Sequence, residues 1–234
     1  SLIAQQVAPS EIAVLYARHR QAERLMALLE KKGIPYQTKR PVNILDLPLI
    51  GQFRSLLSYL HEESQRPFSG EHRLFRLLHA AFWGLSELDL ARIAISCQAQ
   101  RNERSGEIYQ KPDSAPSAKR HWREMLSDIA ALEQLGLSNP AAFHQLGAQL
   151  NAWIADTQNL SLPQLMERLF AQTGLLAWAL KQPDKALHLQ VQHSFLEFVK
   201  NETLRNPRRS LGKLLELLDS MDDNLLPLPL SQPG

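Results

Sequence analysis

The sequence predicts a mainly helical protein that opens with a short α/β segment. From residue 46 onward, apolar residues recur every three or four positions, which is the period of amphipathic helices. Residues 12–16, "IAVLY", are instead a continuous run of β-branched and large apolar side chains, typical of a strand buried on both faces. The predicted architecture is a helical domain of about eight helices at 46–234, preceded at 1–45 by a small βαβ fragment of an α/β domain.

Composition sets broad limits on the class of protein. The chain has 234 residues, of which 44% are hydrophobic and 21% charged, so a folded protein is expected. The net charge of +2 neither demands nor excludes a nucleic-acid partner. Cys97 is the single cysteine, so an intrachain disulfide is impossible and a reducing, cytoplasmic location is predicted. No membrane span or signal peptide is expected, and the ends of the chain suggest an excerpt of a longer protein.

The opening segment is interpreted as strand, helix and strand. After residues 12–16, apolar residues at Ala22, Leu25, Met26 and Leu29 indicate an amphipathic helix, and Gly33 is predicted to end it as a C-cap. A second extended stretch begins at residue 34. The two extended stretches are expected to pair as a small parallel sheet, residues 12–16 with 36–39, or to pair with a second copy of the chain.

Capping side chains mark the predicted starts of the later helices. The predicted N-caps are Asp46, Ser86 with Asp89 three residues later in a capping-box arrangement, Asn139, Ser161 and Asn206. The last three lie close to a proline in the predicted first turn. Residues 101–118 have no apolar period and are rich in Ser, Pro and charge, which predicts a long surface loop between two helical layers.

The sequence lacks the motifs of common catalytic sites. The Gly212-Lys213 pair is followed by Leu214 in a helical pattern, so it does not form a phosphate-binding loop. The eight histidines are scattered, and none shows the spacing of a zinc-binding helix, so no metal site is predicted. No nucleophile motif is present either. We therefore expect no catalytic residues, and we do not expect the chain alone to be a complete enzyme.

The opening segment resembles a known family. The stretch "IAVLYARHRQAERLMALLEKKGIPY" is similar to a segment of superfamily 1 DNA helicases of the UvrD/Rep/PcrA type. In that family the segment belongs to the second RecA-like motor domain, 2A, and a helical insertion, the 2B subdomain, follows it. Later stretches resemble the insertion more loosely: "LPLIGQFRSLLSYLHEE", "RLFRLLHAAFWGLSELDLARIA" and "LMERLFAQTGLLAWAL".

The resemblance implies a function for a longer parent protein. An intact helicase of this type would translocate on single-stranded DNA with ATP and magnesium, in DNA repair or replication restart, and its 2B part would contact the single-strand/duplex junction and regulate unwinding. The motifs that bind and hydrolyse ATP are absent from this sequence, so we expect no ATPase activity and no cofactor in this chain. The family arginine and asparagine after "VLY" are replaced by Ala17 and His19, with Arg18 displaced by one position.

Candidate DNA contacts follow from the resemblance and from basic clusters. Where the family has Gly-Ile-Gly in a turn that faces duplex phosphates, this chain has Gly84, Leu85 and Ser86. Ser86 can either cap the next helix or contact phosphate, and Trp83 and the other three tryptophans are expected to serve as core residues more often than as base-stacking ones. The basic candidates, which can equally be solvated surface residues, are Arg18, Lys39, Arg40, Lys119, Arg120 and Arg123, with Arg208 and Arg209 as a further pair.

A second class of function remains open. The chain can instead be a helical protein-interaction module, either of a helicase-nuclease relative or of a 2B domain specialised for protein partners. Salt-dependent binding to a single-strand/duplex junction distinguishes the two hypotheses, because only the first requires phosphate contacts.

Overall fold

The apolar periodicity of the chain produces a mainly helical structure, as predicted. The computed structural model describes residues 11–14, 25, 28–29, 32–34, 36, 43–102 and 121–230, with only the backbone described at 98–102. Two 3-10 helices, Ile44–Asp46 and Ala81–Trp83, lie in this part of the chain. Residues 43–102 and 121–230 form ten α-helices: α1 Pro48–Gln65, α2 Glu71–Leu78, α3 Glu87–Asn102, α4 Trp122–Ser127, α5 Ile129–Gln134, α6 Pro140–Asn159, α7 Leu162–Gln172, α8 Leu175–Ala179, α9 Lys185–Arg205 and α10 Leu211–Asp223.

The chain divides into two compact units, Ser1–Pro41 and Val42–Gly234. In the first unit, Leu25, Leu28 and Leu29 are helical, and Gly33 has a φ of 65°. The Ile34 N–H donates to the Leu29 carbonyl at 2.9 Å, which closes the helix in the manner of a Schellman cap. The prediction of Gly33 as a C-cap is therefore confirmed.

The predicted strands of the first unit are not confirmed. Residues 12–14 are described and have neither strand nor helix geometry, and Val14 is exposed. None of the residues described between positions 11 and 36 lies in a strand, while the rest of both predicted strands falls outside the described residues. The βαβ fragment therefore stays a prediction.

Helix α1 is the central element of the second unit. It packs against α2, α6 and α10. Phe53 of α1 is fully buried, lies parallel to the ring of Phe170 with centroids 4.4 Å apart, and meets the edge of Phe195 at 5.8 Å. Burying each such side chain contributes about 1.5–3 kcal/mol, so these three rings tie α1, α7 and α9 into one core.

The two ends of the second unit lie side by side. The Ile44 N–H donates to the Leu228 carbonyl at 2.9 Å, and the Leu228 N–H donates to Asn43 Oδ1 at 2.9 Å. Asn43 and Pro229 form an antiparallel bridge. The unit therefore begins and ends at one place on its surface.

Several predicted helix boundaries need correction. Asp46 is not an N-cap, because it lies inside the first 3-10 helix, which Asn43 caps by accepting from the Leu45 N–H at 3.3 Å. Asn206 ends α9 as its C-cap, and the next helix starts at Leu211 after Ser210. Helix α3 continues to Asn102, two residues into the predicted loop, and residues 103–118 lie outside the described part. The predicted caps Asn139 and Ser161 are confirmed.

The count of ten α-helices exceeds the predicted eight for a local reason. Helices α4 and α5 are separated by Asp128 alone, whose extended backbone ends α4 while its carboxylate caps α5 by accepting from the Ala131 N–H at 3.1 Å. Helix α8 has only five residues, too few to show an apolar period in the sequence.

Candidate nucleic-acid interface

The family-like turn at residues 84–86, the Gly84 turn, connects a 3-10 helix to α3. Gly84 has a φ of 62°, in the left-handed region that favours glycine, and a Cβ added there would meet nothing within 4 Å. Gly84 and Ser86 are exposed and Leu85 is half-buried. The first N–H groups of α3 have no intrahelical acceptor, and the helix dipole gives this end a partial positive charge. The turn therefore has the local geometry of an anion contact.

Ser86 caps α3, as predicted, but the capping box is incomplete. Ser86 Oγ accepts from the Asp89 N–H at 3.4 Å. The Asp89 carboxylate does not return to Ser86; it is buried, accepts from the Ser138 N–H at 3.0 Å and from the Ser138 hydroxyl, and lies 3.6 Å from the Arg92 guanidinium. Asp89 thus joins α3 to the segment before α6.

A second glycine turn lies against the 3-10 helix that precedes the Gly84 turn. Gly174 has a φ of 75° and precedes α8, and its Cβ position is 3.4 Å from the carbonyl oxygen of Phe82. Thr173 is buried and its hydroxyl accepts from the Leu175 N–H at 3.4 Å. The two glycine-containing stretches that resemble the family are therefore neighbours in space.

Trp83 is a packing residue in this structure. Its Nε1–H donates to the Leu77 carbonyl at 2.8 Å, and its ring lies 4.6 Å from Phe82 and 6.0 Å from Trp153, measured between centroids. Trp153 is fully buried, and Trp122 and Trp178 are half-buried. These contacts favour the core interpretation of the tryptophans over base stacking.

Arg123 is engaged inside the protein. Its Nη1 donates to Glu63 Oε2 at 2.5 Å and its Nε donates to Asn151 Oδ1 at 2.7 Å, while the guanidinium carbon lies 5.5 Å from the centroid of the Phe68 ring. The Glu63 side chain is fully buried and also accepts from the N–H groups of Phe68 and Gly70. Arg123 therefore neutralises a buried carboxylate, which occupies donors that a phosphate contact would need.

Glu71 lies beside this pair. Its carboxylate accepts from the N–H groups of Trp122 at 2.7 Å and Arg123 at 3.3 Å, and His121 Nδ1 lies 3.9 Å away. Burial raises the pKa of Glu71 above its ordinary value of 4.5, and the two N–H groups oppose that rise. Burial and the neighbouring Glu63 also raise the pKa of Tyr59. We call Glu63, Glu71, His121 and Arg123 the buried ion cluster.

The remaining basic candidates are placed differently. Arg18, Lys39, Arg40, Lys119 and Arg120 lie outside the described residues. Arg208 is exposed, whereas Arg209 donates to Glu202 Oε2 at 3.0 Å, a carboxylate that is almost fully buried. Of the predicted DNA-contact residues that are described, Arg208 and the Gly84 turn thus have exposed polar atoms, and the Gly84 turn lies at a helix N-terminus suited to an anion.

Sequence reasoning missed a basic groove between α1 and α2. Its polar lining comes from Gln52 and Ser55 of α1 and from Arg73, Arg76 and His79 at and after α2, around a volume of about 300 Å³. The signal was present in the sequence, because basic residues spaced by three along a helix share a face. No sequence signal, however, indicates which face of α2 meets α1.

Other classes of site receive no support from the geometry. Across residues 43–102 and 121–230 and the few described before them, no three or more His, Cys, Asp or Glu side chains gather where they could hold a metal ion. Within the same residues, no helix is both long and apolar enough to span a membrane.

Comparison with known proteins adds no assignment. No protein-family model matches the chain, and no curated protein matches it either.

Proposed function

We propose that this chain is part of a UvrD/Rep/PcrA-like superfamily 1 DNA helicase, comprising the start of motor domain 2A and the helical 2B insertion. The opening segment, with its strand-helix-strand pattern of a RecA-like domain, is the sequence basis of the proposal. In the intact protein, ATP and magnesium would bind the motor domains outside this chain, and the cytoplasm would be its location. The chain itself would contact DNA and lack ATPase activity.

The observation that carries the proposal is the pairing of the two ends of the helical unit. A domain inserted into a host must leave and rejoin the host at nearly the same place, so its first and last residues lie together. The Ile44 N–H donates to the Leu228 carbonyl and the Leu228 N–H donates to Asn43 Oδ1, both at 2.9 Å. This is the geometry expected of a 2B-like insertion, and a helical bundle with ends at opposite poles would have argued against it.

The Gly84 turn supports the DNA-contact part of the proposal. It presents exposed backbone at the N-terminus of a helix of sixteen residues, and Gly84 leaves open space where a side chain would stand. Glu87, the first residue of α3, brings a negative charge to the same end. The turn would therefore supply one phosphate contact among several, and we expect modest affinity from it alone.

A matched pair of serine substitutions tests the DNA contact. Ser86 and Ser210 both cap helices, and Asp is an equally good cap, so Ser86→Asp and Ser210→Asp add the same charge without removing a cap. Fluorescence anisotropy with forked, duplex and single-stranded oligonucleotides at low salt is the measurement. We expect S86D to weaken binding about fivefold and S210D to leave it unchanged.

Three outcomes would each contradict a part of the proposal. If no oligonucleotide binds the wild-type chain at low salt, the DNA-contact role is wrong. If S86D and S210D bind equally well, the Gly84 turn is not the contact. DNA-stimulated ATP hydrolysis by the purified chain would overturn the expectation that it has no ATPase activity.

A second candidate function, a helical protein-interaction module, is favoured by one feature of α3. Leu88 and Ile95 are spaced by seven residues on one face of α3 and are 62% and 66% exposed. Exposed apolar residues on one helical face are typical of protein contacts. Absence of DNA binding together with intact folding would support this candidate over the first.

A further inference from the structure

One of the two arginines in the α1–α2 groove has no carboxylate partner, as is also true of Arg66 and Arg208 elsewhere in the described part of the helical unit. Among the described residues, Arg76 forms no ion pair or side-chain hydrogen bond, although it lies in the last turn of α2 and is exposed. Most of the other arginines in the helical unit that the structure describes contact a carboxylate, as Arg54 does with Asp219 at 2.9 Å. A guanidinium that lines a groove and has no carboxylate partner is available to an external anion.

Neutral groups complete the polar lining. Gln52 is half-buried on the α1 side, and its amide has no partner among the described residues. The Ser55 hydroxyl donates to the Gly51 carbonyl at 2.9 Å and can rotate toward a ligand. His79 Nδ1 bonds the Phe75 carbonyl at 2.8 Å, which leaves Nε2 as the free ring nitrogen. The groove thus offers one unpaired cation and at least one free amide donor.

A second cation in the groove is held by a carboxylate. Arg73 Nε donates to Glu62 Oε1 at 2.6 Å, and the other Glu62 oxygen is buried with no partner among the described residues. Glu62 therefore lowers the positive potential of the groove. Its removal should strengthen attraction for an anion.

The groove and the Gly84 turn are joined through a short, hydrogen-bonded stretch of chain. Leu77 and Ala80 line the groove; the Leu77 carbonyl accepts from Trp83 Nε1 at 2.8 Å, and the Ala80 carbonyl accepts from the Trp83 N–H at 3.1 Å. Gly84 follows directly, and its N–H donates to the Ala81 carbonyl at 3.3 Å. Both features therefore belong to one segment of the chain, residues 76–84.

We propose that the α1–α2 groove binds a backbone phosphate of a nucleic acid, with Arg76 as the charged contact and the Gln52 amide as a neutral donor. This inference rests on the proposed DNA-contact function and adds a second phosphate site to it. A polyanion carries several phosphates, so it could contact Arg76 and the Gly84 turn, which is close to Arg76 along the chain, through separate phosphates. Binding is independent of base sequence, because the groove residues would meet the backbone only.

The charge-removal test compares Arg76→Gln with Arg205→Gln. Both arginines are exposed and lie in the last turn of their helices, and Arg205 does not line the groove. Anisotropy with a duplex of mixed sequence is measured between about 50 and 200 mM salt. We expect R76Q to weaken binding about threefold to tenfold at the lower salt and to reduce the slope of log K against log salt by about 0.9, with R205Q matching the wild type.

A gain of affinity provides the second test. Glu62→Gln keeps an acceptor for Arg73 and removes the negative charge beside the groove. We expect E62Q to bind the duplex about threefold more tightly, with a steeper salt dependence. A variant that is merely misfolded cannot produce this result.

The outcomes separate failure of the groove from failure of the proposed function. If S86D weakens binding while R76Q and E62Q bind as the wild type does, the groove proposal is wrong and the function stands. If the wild type binds no oligonucleotide, both are wrong. Two further arms test the source of the anion: Arg76-dependent binding of inorganic phosphate without oligonucleotide binding, or competition by polyglutamate as strong as by DNA, would each overturn the nucleic-acid assignment.

Discussion

The two ends of helix α2 use charge in opposite ways. At the N-terminal end, the Glu71 carboxylate accepts hydrogen bonds from two backbone N–H groups of α4, and Arg123 of α4 neutralises the nearby buried Glu63. At the C-terminal end, Arg76 is exposed with no carboxylate partner among the described residues. At one end, charged groups therefore hold both α2 and α1 against α4, and at the other end a cation is available to a ligand.

The two ends of α2 therefore contribute to different properties, one to stability and the other to ligand binding. Charges satisfied inside the chain stabilise the fold, because a buried group left without its partner is costly. Charges facing solvent contribute little to stability and can be used for binding. Substitutions at the N-terminal end of α2 should therefore cost more stability than substitutions at its C-terminal end.

The largest effect is expected at the buried ion cluster. Arg123→Leu would leave the Glu63 carboxylate buried without its cation, which should lower the free energy of unfolding by about 3–5 kcal/mol. Urea denaturation followed by circular dichroism measures the change. Arg76→Leu, at the other end of α2, is the control and should stay within about 0.5 kcal/mol of the wild type. Equal losses for the two variants would contradict the contrast between the ends.

A smaller loss is expected at Gly70, the N-cap of α2. A Cβ there would lie 2.8 Å from Cδ2 of Tyr59, a fully buried ring with little room to move. Gly70→Ala should therefore lower stability by about 1–3 kcal/mol in the same denaturation experiment. Gly51→Ala in α1 is the control: its Cβ meets nothing within 4 Å, so the substitution should raise stability slightly. A neutral G70A would show that Tyr59 shifts freely.

A loss of another origin is expected at Gly84. Its Cβ position is open, so crowding is absent, but its φ of 62° disfavours any residue with a Cβ. Gly84→Ala should lower the free energy of unfolding, measured by thermal denaturation, by about 1 kcal/mol. Gly84→Asn should lower it less, because Asn tolerates the left-handed region better than Ala does. If the two variants are equally stable, the backbone at Gly84 does not hold this φ in solution.

The smallest effect concerns pH and Glu71. Because the pKa of Glu71 is raised in the folded state, Glu71 loses its proton in the unfolded chain before it does so in the folded chain as pH increases above 4.5. The wild type should therefore lose stability relative to Glu71→Gln as pH rises through the raised pKa of Glu71. Unfolding free energies of both proteins between about pH 4 and 8 give this difference.

The comparison with E71Q isolates Glu71 from its titratable neighbours. Glu63, His121 and Tyr59 are present in both proteins, so their contributions cancel to first order. A stability difference that does not change with pH would show that Glu71 has an ordinary pKa in the folded state.

Local features of the fold could be predicted from the sequence alone. The apolar period of α1 and the caps Asn139, Ser161 and Gly33 depend on residues a few positions apart. Asp46 and Asn206 have equally good capping chemistry, yet neither starts an α-helix. Asn43 caps the first 3-10 helix while its side chain also bonds Leu228, 185 positions away, a contact that no local pattern contains.

For the candidate site too, some residues could be predicted from the sequence, and others depend on packing. The Gly84 turn was proposed as a contact because its three consecutive residues stand where the resembled family has Gly-Ile-Gly. Arg123 was a phosphate candidate by sequence, but its carboxylate partner Glu63 is 60 positions away and fully buried. The α1–α2 groove was missed because Gln52 and Arg76 meet only when α1 packs on α2.

The sequence by itself determined the helical period, the sharp glycine turns and the resemblance of the opening segment, since each depends on residues that are neighbours along the chain. The tertiary structure alone decided which charges are free. Arg123 and Arg76 are the same residue type, and only packing gives the first a buried carboxylate and leaves the second facing a groove. Coulombic and hydrogen-bond partners are chosen by distance in space, so the availability of a cation for a ligand is a property of the folded chain.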